Sequence, residues 1–559
     1  MDEFSSNFVD GIITLQVGHY SNFIGTHWWN IQHATRKQQA SRDKESQIKH
    51  ELFLREEFSR REGATTTPRL LCIDLKGSLK SLKQDGNFSD STNSNQTDEN
   101  RSKHNEASDT VGFSLDSPNQ ISVHYTDPAE RHDSLAPKSL AGDLTNNQQS
   151  NSGDIDNYFN LDDVVEVWSD FLGNEYNQNS VLLVEDYWHS GDGRTFSSFG
   201  QGYSTSSNEN FWESWEDKMH FFVEECDSLQ GFQVLTDLAD GFGGLTTRML
   251  HHIQDCFGSK AIAVYGSWPG IPDKHIDESI QVINSALALA RISQNCSFFT
   301  PLSLQKNYYG KEWLPRQFPH LSYKANSHYH TSAIIASLLD TVSLQYRLEQ
   351  SSFGHFCNNL TRTGHKIAAS SLSLPLPLNS NSLKTLFKDS SLYGNGLLCC
   401  LTPSHSSELS TLYSNQVVLR GVPNYCKEYD LKNRASLGMT SNKNTFEAFV
   451  YEKHEALVTG TTFCTEPLKT SSCYPQYFLQ SSTGKNTQVN ECPVLAGLFT
   501  SSGMFDLMYD MLLSVKRVKK SKLVLMEQTG LEQDEFEENM ESLAQMAYLY
   551  DERRAIDLL

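Results

Sequence analysis

The sequence predicts an α/β architecture: a doubly wound parallel sheet of the nucleotide-binding type, then a smaller α+β unit and C-terminal helices. Three observations lead there. Near-continuous apolar runs of strand length recur in the first 300 residues, apolar stripes at helical spacing separate them, and glycine-rich loops follow strands at their carboxyl ends. Runs apolar on both faces suit a sheet covered by helices on each side. Their alternation with helical patterns marks crossover connections between parallel strands.

The elements follow in order. Ile12–Val17 reads as a strand ending at Gly18, and Phe23, Ile24, His27, Trp28 and Ile31 form the helical stripe after it. Arg69–Leu75 and Val181–Asp186 are buried strands. Phe232–Leu238 leads into Asp240-Gly-Phe-Gly-Gly244, after which Leu245, Met249, Leu250, Ile253 and Phe257 share one helical face. Ala261–Tyr265 is the next strand, Ala333–Arg347 and Phe505–Val518 read as helices, and Gly396–Leu401 as a buried strand. This divides the chain into a doubly wound domain over 1–300, an α+β unit over 301–500 and a helical region over 501–559.

The 559 residues carry 46 basic and 68 acidic side chains, a net charge of −22. Such a balance argues against nucleic acid as a partner, because phosphate binding needs a concentrated basic surface. Counting Gly and leaving out Tyr, ~40% of the chain is apolar against roughly 45–50% in typical globular proteins. The deficit is gathered rather than spread. About 83–157 the sequence collapses into Asn, Ser, Asp, Gln and Thr, and such a segment cannot offset the ordering entropy of roughly 1–2 kcal/mol per residue. It is expected to be a disordered insertion. A second polar stretch, about 427–490, is expected as a loop around an ordered island at Phe446–Tyr451. The 11 cysteines are dispersed and include no Cys-x-x-Cys pair, which fits buried thiols in a reducing compartment. No apolar run approaches the roughly 20 residues that span a bilayer, and the first basic residue is Arg36, so neither a secretory nor an import signal is expected.

Two loops stand where ligands of open α/β sheets bind: Gly18-His-Tyr-Ser-Asn-Phe-Ile-Gly25 and Gly241-Phe-Gly-Gly244. Glycines let a backbone approach a phosphate, though glycines before a helix are as often turn chemistry. No Gly-x-x-x-x-Gly-Lys-Ser/Thr sequence occurs, which excludes a P-loop NTPase. In combination the segments are specific. Ile12–Gly25 resembles the opening strand and first nucleotide loop of tubulins, and Cys226-Asp-Ser-Leu-Gln-Gly-Phe-Gln233 resembles the tubulin run before the glycine-rich phosphate loop. Thr26-His-Trp-Trp-Asn-Ile-Gln32, Asp74-Leu-Lys-Gly-Ser-Leu79 and Ser198-Phe-Gly-Gln-Gly202 resemble the misato family of tubulin-like proteins. The tubulin resemblance is strongest over 12–82 and 181–347.

That resemblance implies a tubulin-like fold and carries the nucleotide-contacting role onto Gly18, Asn22, Asp74, Gly241, Gly243 and Gly244. It implies guanine nucleotide as the ligand to test for, with no cofactor assured. The departures from tubulin weaken that role. Asp240 replaces a glycine, and two like unit charges ~4 Å apart cost roughly 4 kcal/mol at an effective dielectric near 20. Phe242 replaces a threonine, Leu245 a glycine, and Lys76 an acidic residue; a lysine cannot ligate Mg²⁺. The loop that completes hydrolysis between tubulin subunits aligns with Tyr329–Ala333, which lacks its Gly, Asn and acidic residue. No catalytic residue is therefore expected, and no enzyme. The resemblance further implies a cytosolic protein peripheral to the mitochondrial outer membrane, serving mitochondrial distribution, morphology, fusion and inheritance through a surface or receptor there. The alternative it leaves open is a cytoskeletal, chaperone-linked factor acting on tubulin, spindle assembly and chromosome segregation, with tubulin and the cytosolic chaperonin as partners.

Lys516, Arg517, Lys519, Lys520 and Lys522 form the densest basic cluster and are the candidate membrane or partner contact; the other reading is a helix end complementing its dipole. The acidic tail after Glu532 is expected merely to solubilise. His251 and His252 are adjacent and cannot share a metal-binding face on a helix, and His328 with His330, at strand spacing, lacks a third ligand nearby, so no metal site is expected. Trp28, Trp29 and Phe211–Trp215 are expected in the core, with a partner-binding patch as the other reading.

Overall fold

A computed structural model describes residues 10–42, 47–59, 63–80, 82, 160–173, 176–189, 194–269, 274–308, 314–348, 352–378, 383–388, 390–394, 396–405, 411–430, 435–454, 456–479, 486–487, 489–519 and 532–551. The insertion expected at 83–157 lies outside them, as do Lys520 and Lys522.

Six strands, β1 (Asp10–Val17), β2 (Leu70–Lys76), β3 (Val181–Trp188), β4 (Ser228–Asp237), β5 (Ala261–Ser267) and β6 (Phe298–Leu302), form one sheet. Its order is β3-β2-β1-β4-β5-β6 and every pairing is parallel. The strands are apolar on both sides because both faces are covered. On one face lie α1 (His19–Arg42) and a long helix introduced below. On the other pack α2 (Phe199–Ser204), α3 (Glu209–Glu224), α4 (Gly241–Phe257) and α5 (Glu278–Ile292). Trp28, Trp29 and Trp215 are fully enclosed, so these aromatics belong to the core. Burying each large side chain contributes roughly 1.5–3 kcal/mol.

The helix α6 (His328–Arg347) begins five residues before the start read from sequence, with Ser327 as its N-cap accepting from the His330 amide. It runs between the parallel sheet and a second sheet, and nearly all of it is buried. After α7 (Phe353–Thr361) come β7 (Ala369–Ser373), β8 (Cys399–Cys400), β9 (Leu412–Arg420), α8 (Asn442–Lys453), β10 (Val458–Cys464) and β11 (Val494–Ser501). The five strands are ordered β8-β7-β11-β9-β10, antiparallel except for β9 with β10. The buried strand expected over Gly396–Leu401 is a two-residue, half-buried edge pair. The polar stretch 427–490, expected as a loop, carries strands Tyr425–Asp430 and Ala435–Ser441, then α8 and β10. The edge strand β10 is half-buried along most of its length, so Thr and Gly suffice and no apolar run announces it.

Helices α9 (Met504–Lys516) and α10 (Gln533–Tyr550) return to the parallel sheet and pack against α5. The acidic tail is therefore structural: Leu543, Ala544, Ala547 and Tyr550 enter the core, and the Tyr550 hydroxyl bonds Ile367. Among the described residues no helix is long and apolar enough to cross a membrane.

Candidate functional site

In a 3-2-1-4-5-6 sheet the switch point lies between β1 and β4, and ligands bind outside the strand ends there. A cavity of about 750 Å³ opens at that place, lined by residues such as His19, Asp237, Asp240 and His328. Gly18 turns β1 into α1 with φ +124°, a conformation open to glycine, and a Cβ there would lie 2.5 Å from the Asp237 carboxylate.

That carboxylate, the last residue of β4, holds the N-terminus of α1. Tyr20 N–H and Ser21 N–H each donate to it at 2.8 Å, the Ser21 hydroxyl at 2.7 Å and the Ser267 hydroxyl at 2.9 Å. Carboxylates are favoured at helix N-termini because the backbone N–H groups and the dipole meet negative charge there. Burial pushes the Asp237 carboxyl up to about 6, against the pull of its hydrogen bonds from Ser21, Ser267 and Tyr20.

The second loop is closed in the same manner. Asp240 is the N-cap of α4, and its side chain accepts from Phe242 N–H at 2.9 Å. The Gly241 amide donates to Phe196 O. The glycines serve helix packing: a Cβ at Gly241 would meet the Phe196 ring at 2.7 Å, at Gly243 the Ala288 side chain at 2.9 Å, and at Gly244 the Phe199 carbonyl at 2.0 Å. Gly202 faces Gly241 O at a hypothetical 1.6 Å, so α2 lies directly on the first turn of α4. Gly244→Ala would force backbone from backbone. We expect it to destabilise by about 3 kcal/mol, at the upper end of overpacking costs, read as a lower urea midpoint.

On the far side of α1 stands Asp74, fully buried at the end of β2. Its Oδ2 accepts from Trp168 Nε1–H at 2.8 Å and Asn22 Nδ2–H at 3.1 Å and lies 3.0 Å from His19 Nδ1; Oδ1 accepts from Leu75 N–H at 2.8 Å. Asn22 also donates to Ile73 O. Burial works to raise the Asp74 carboxyl, but the charge and hydrogen bond of His19, with His189 beyond it, outweigh this and hold it below the usual carboxylate range. His189 stacks on His19 with ring centroids 3.6 Å apart. His328 is pushed down to about 4 by burial and by these two neighbouring imidazoles.

The lining of the cavity does not include Gly18, Asn22, Asp74, Gly241, Gly243 or Gly244; their chain neighbours His19, Leu75, Asp240 and Phe242 reach it instead. The structure corrects two expectations. Tyr329–Ala333 is not a loop but the buried start of α6, and His328 and His330 are on that helix rather than a strand. His330 faces Asp162 at 2.9 Å, and His251 and His252 pair with Asp255 and Glu216. Lys516 ends α9, where its charge complements the dipole, and Arg517 and Lys519 follow it exposed. Sequence reasoning missed Asp237, Trp168 and His189. A carboxylate closing a strand just before a glycine loop was the available signal for Asp237. None existed for His189.

Family comparison agrees with this geometry. The model of the Misato Segment II tubulin-like domain matches residues 10–136, and that of the tubulin domain matches 160–348. The mouse protein misato homolog 1 is 29% identical over 97% of this chain and 98% of its own length. Protein misato of Drosophila melanogaster is 28% identical over 96% and 98%, and human misato homolog 1 is 27% identical over 96% and 97%. Along nearly its whole length the chain is similar to misato proteins, and two stretches match tubulin-like domain models. Tubulin-like folds imply a guanine nucleotide with Mg²⁺, so the fit of this site to such a ligand can be tested on its donors. It fails. The two α1 amides that would meet a phosphate hold Asp237, the Phe242 amide holds Asp240, and α2 covers the glycines. Asp162, Asp163 and Glu166 add negative charge to the lining, Lys324 is paired with Asp162 at 3.1 Å, and the Lys76 ammonium lies over the Trp188 ring. The site is built against a triphosphate.

Proposed function

We propose that this protein is a non-catalytic, tubulin-like scaffold of the misato family that does not hydrolyse GTP. It supports mitochondrial distribution, morphology, fusion and inheritance from the cytosolic face of the outer membrane. The observation that carries the first half is Asp237: a carboxylate of the chain itself sits on the helix N-terminus that would otherwise receive phosphate. With those amides engaged, the starts of α1 and α4 do not offer the donor set that a bound triphosphate needs. The mitochondrial half rests on the motif resemblance, and the basic residues after α9 are the contact it assigns to the membrane surface or receptor.

The purified full chain should release far less than one guanine nucleotide per molecule on denaturation, and with GTP and Mg²⁺ it should liberate phosphate no faster than buffer. One GDP per chain, or phosphate release proportional to protein, would overturn the first half. For the second, proximity labelling compares the wild type with a chain in which Lys516, Arg517, Lys519, Lys520 and Lys522 are all glutamine. Outer-membrane neighbours lost in the variant support the proposal. Labelling dominated by tubulin and chaperonin subunits in both chains would replace it with the cytoskeletal reading.

A further inference from the structure

The cavity rejects an anion, and its chemistry suits the opposite charge. His19 opens α1, Asp74 nearly ends β2 and His189 follows β3, so three neighbouring strand ends deliver two imidazoles and a carboxylate to one place. One ligand atom from each lies within 4.8 Å of the other two. We infer that His19, His189 and Asp74 form a binding site for a borderline divalent cation of the zinc class.

Geometry, donor type and support each bear on this. Around a tetrahedral ion with bonds of roughly 2.0–2.2 Å, adjacent ligand atoms stand roughly 3.3 Å apart. His19 Nδ1 and Asp74 Oδ2 stand 3.0 Å apart, close to that spacing, and His189, stacked on His19 with ring centroids 3.6 Å apart, must turn out of the stack to aim its lone pair at the same ion. Two nitrogens and one oxygen match Zn²⁺ and its neighbours, whereas Mg²⁺ takes oxygen donors in a strict octahedron. This separates the inferred ion from the metal that accompanies a nucleotide.

Metal sites need their ligands held by outer partners. Asp74 is held by the indole N–H of Trp168, the amide of Asn22 and its neighbour's backbone N–H. The His189 backbone N–H donates to Lys76 O at 3.0 Å, which fixes where that ring begins. Three protein ligands leave a fourth position, and here it opens on the cavity, as in zinc sites that keep a place for water or a ligand. Asp162, Asp163, Glu166 and Asp240 stand on the same walls as Lys274 and Lys324, with Lys324 paired to Asp162 and Asp163 and Lys80 to Glu166, so the surrounding charge is partly balanced. The inferred ion gives Trp168 and Asn22 a reason to crowd one carboxylate oxygen, since they orient it without neutralising it.

The test uses the full chain stripped with chelator, then titrated with Zn²⁺ by calorimetry and with Co²⁺ by absorption, with Mg²⁺ as the comparison ion. One Zn²⁺ should bind per chain, Mg²⁺ should not compete, and Co²⁺ should give ligand-field bands without the charge-transfer band of a thiolate. His189→Ala and His19→Ala should each weaken Zn²⁺ by more than about 100-fold, beyond the effect of losing an outer partner. His189 sits at the end of its strand, so His189→Ala should keep the wild-type circular dichroism and urea midpoint in the absence of metal and lose the rise in Tm that Zn²⁺ gives the wild type. No saturable binding, equal affinity in the wild type and both variants, or a thiolate band from the dispersed cysteines would each overturn the assignment. None of these readouts depends on nucleotide, so the site can fail while the non-catalytic reading stands, and the reverse.

Discussion

Asp340→Asn should cost about 3–5 kcal/mol of stability, the range for leaving a buried charge without its partner. Asp340 lies in the middle of α6, and its carboxylate accepts from Arg347 of the same helix, Arg420 of β9 and Gln32 of α1. None of the charged side chains is more than 3% exposed. Arg347 also donates to the Gln32 side-chain oxygen Oε1 and the Ser343 hydroxyl, and Arg420 to the backbone carbonyls of Glu466 and Pro467. One carboxylate thus answers two guanidiniums and ties the parallel sheet to the second sheet through the helix between them. An amide at 340 would leave both cations buried without a countercharge. Against the 5–15 kcal/mol of an ordinary domain, the loss should show as poor soluble yield and a sharply lower urea midpoint. The triple replacement Asp340→Leu, Arg347→Met and Arg420→Met should recover most of it, because apolar side chains of similar volume often substitute for a buried ionic group without loss. If Asp340→Asn alone left the midpoint unchanged, the network would not be a structural staple.

Asp237→Ala should cost about 2–4 kcal/mol, since it leaves the Tyr20 and Ser21 amides and two hydroxyls without their acceptor at a helix start. Water entering from the adjoining cavity keeps the cost from being larger. The same change should create something the wild type lacks: the vacated amides form an anion nest, so sulfate or inorganic phosphate should raise the Tm of Asp237→Ala and not of the wild type. The pH dependence has a definite sign. Burial lifts the folded carboxyl from the usual 3.8 to about 6, so between about pH 4 and pH 6 the folded state holds a proton that the unfolded state has released. Stability from this group is therefore full at the acid end of that window and declines as pH rises through it, by about 2–3 kcal/mol in all. Asp74 and Asp162, both held below the usual range, contribute the opposite slope at lower pH. The diagnostic quantity is therefore the difference between wild type and Asp237→Asn, measured by urea unfolding across pH 4–7. A flat difference would show that Asp237 titrates normally.

Much of this molecule was legible in its sequence. Ile12–Val17, Leu70–Leu75 and Ala261–Tyr265 are apolar because they are buried on both faces, and that demand is local to each strand; Val181–Asp186, at the sheet edge, is buried only in part, with Glu185 and Asp186 exposed. The helix carrying Leu245, Met249, Leu250 and Ile253 was legible because one face of α4 packs on the sheet. Other elements were not. Tyr329–Ala333 is poor in strong helix formers, yet Ser327 caps it and the core encloses it, so tertiary packing overrides propensity. Strand β10 is written in Thr and Gly because a half-buried edge strand needs few apolar residues, whereas the ordered island read at Phe446–Tyr451 is part of α8, with Phe446, Phe449 and Val450 buried. In the site, the glycines were found but their partner was misread: a missing Cβ leaves the same mark in the sequence whether a phosphate or the Phe199 carbonyl fills the space.

By itself the sequence determined the layered α/β architecture and the likeness to tubulin-like proteins, because each is written in contiguous runs or in the identity of single loop positions. Only the tertiary structure decided which distant side chains meet. That Asp237 answers the amides of α1, that Asp340 joins two sheets, and that His19, Asp74 and His189 meet depends on strand order and on helix placement. Those side chains are distant in sequence, and no local pattern encodes the few ångströms between them.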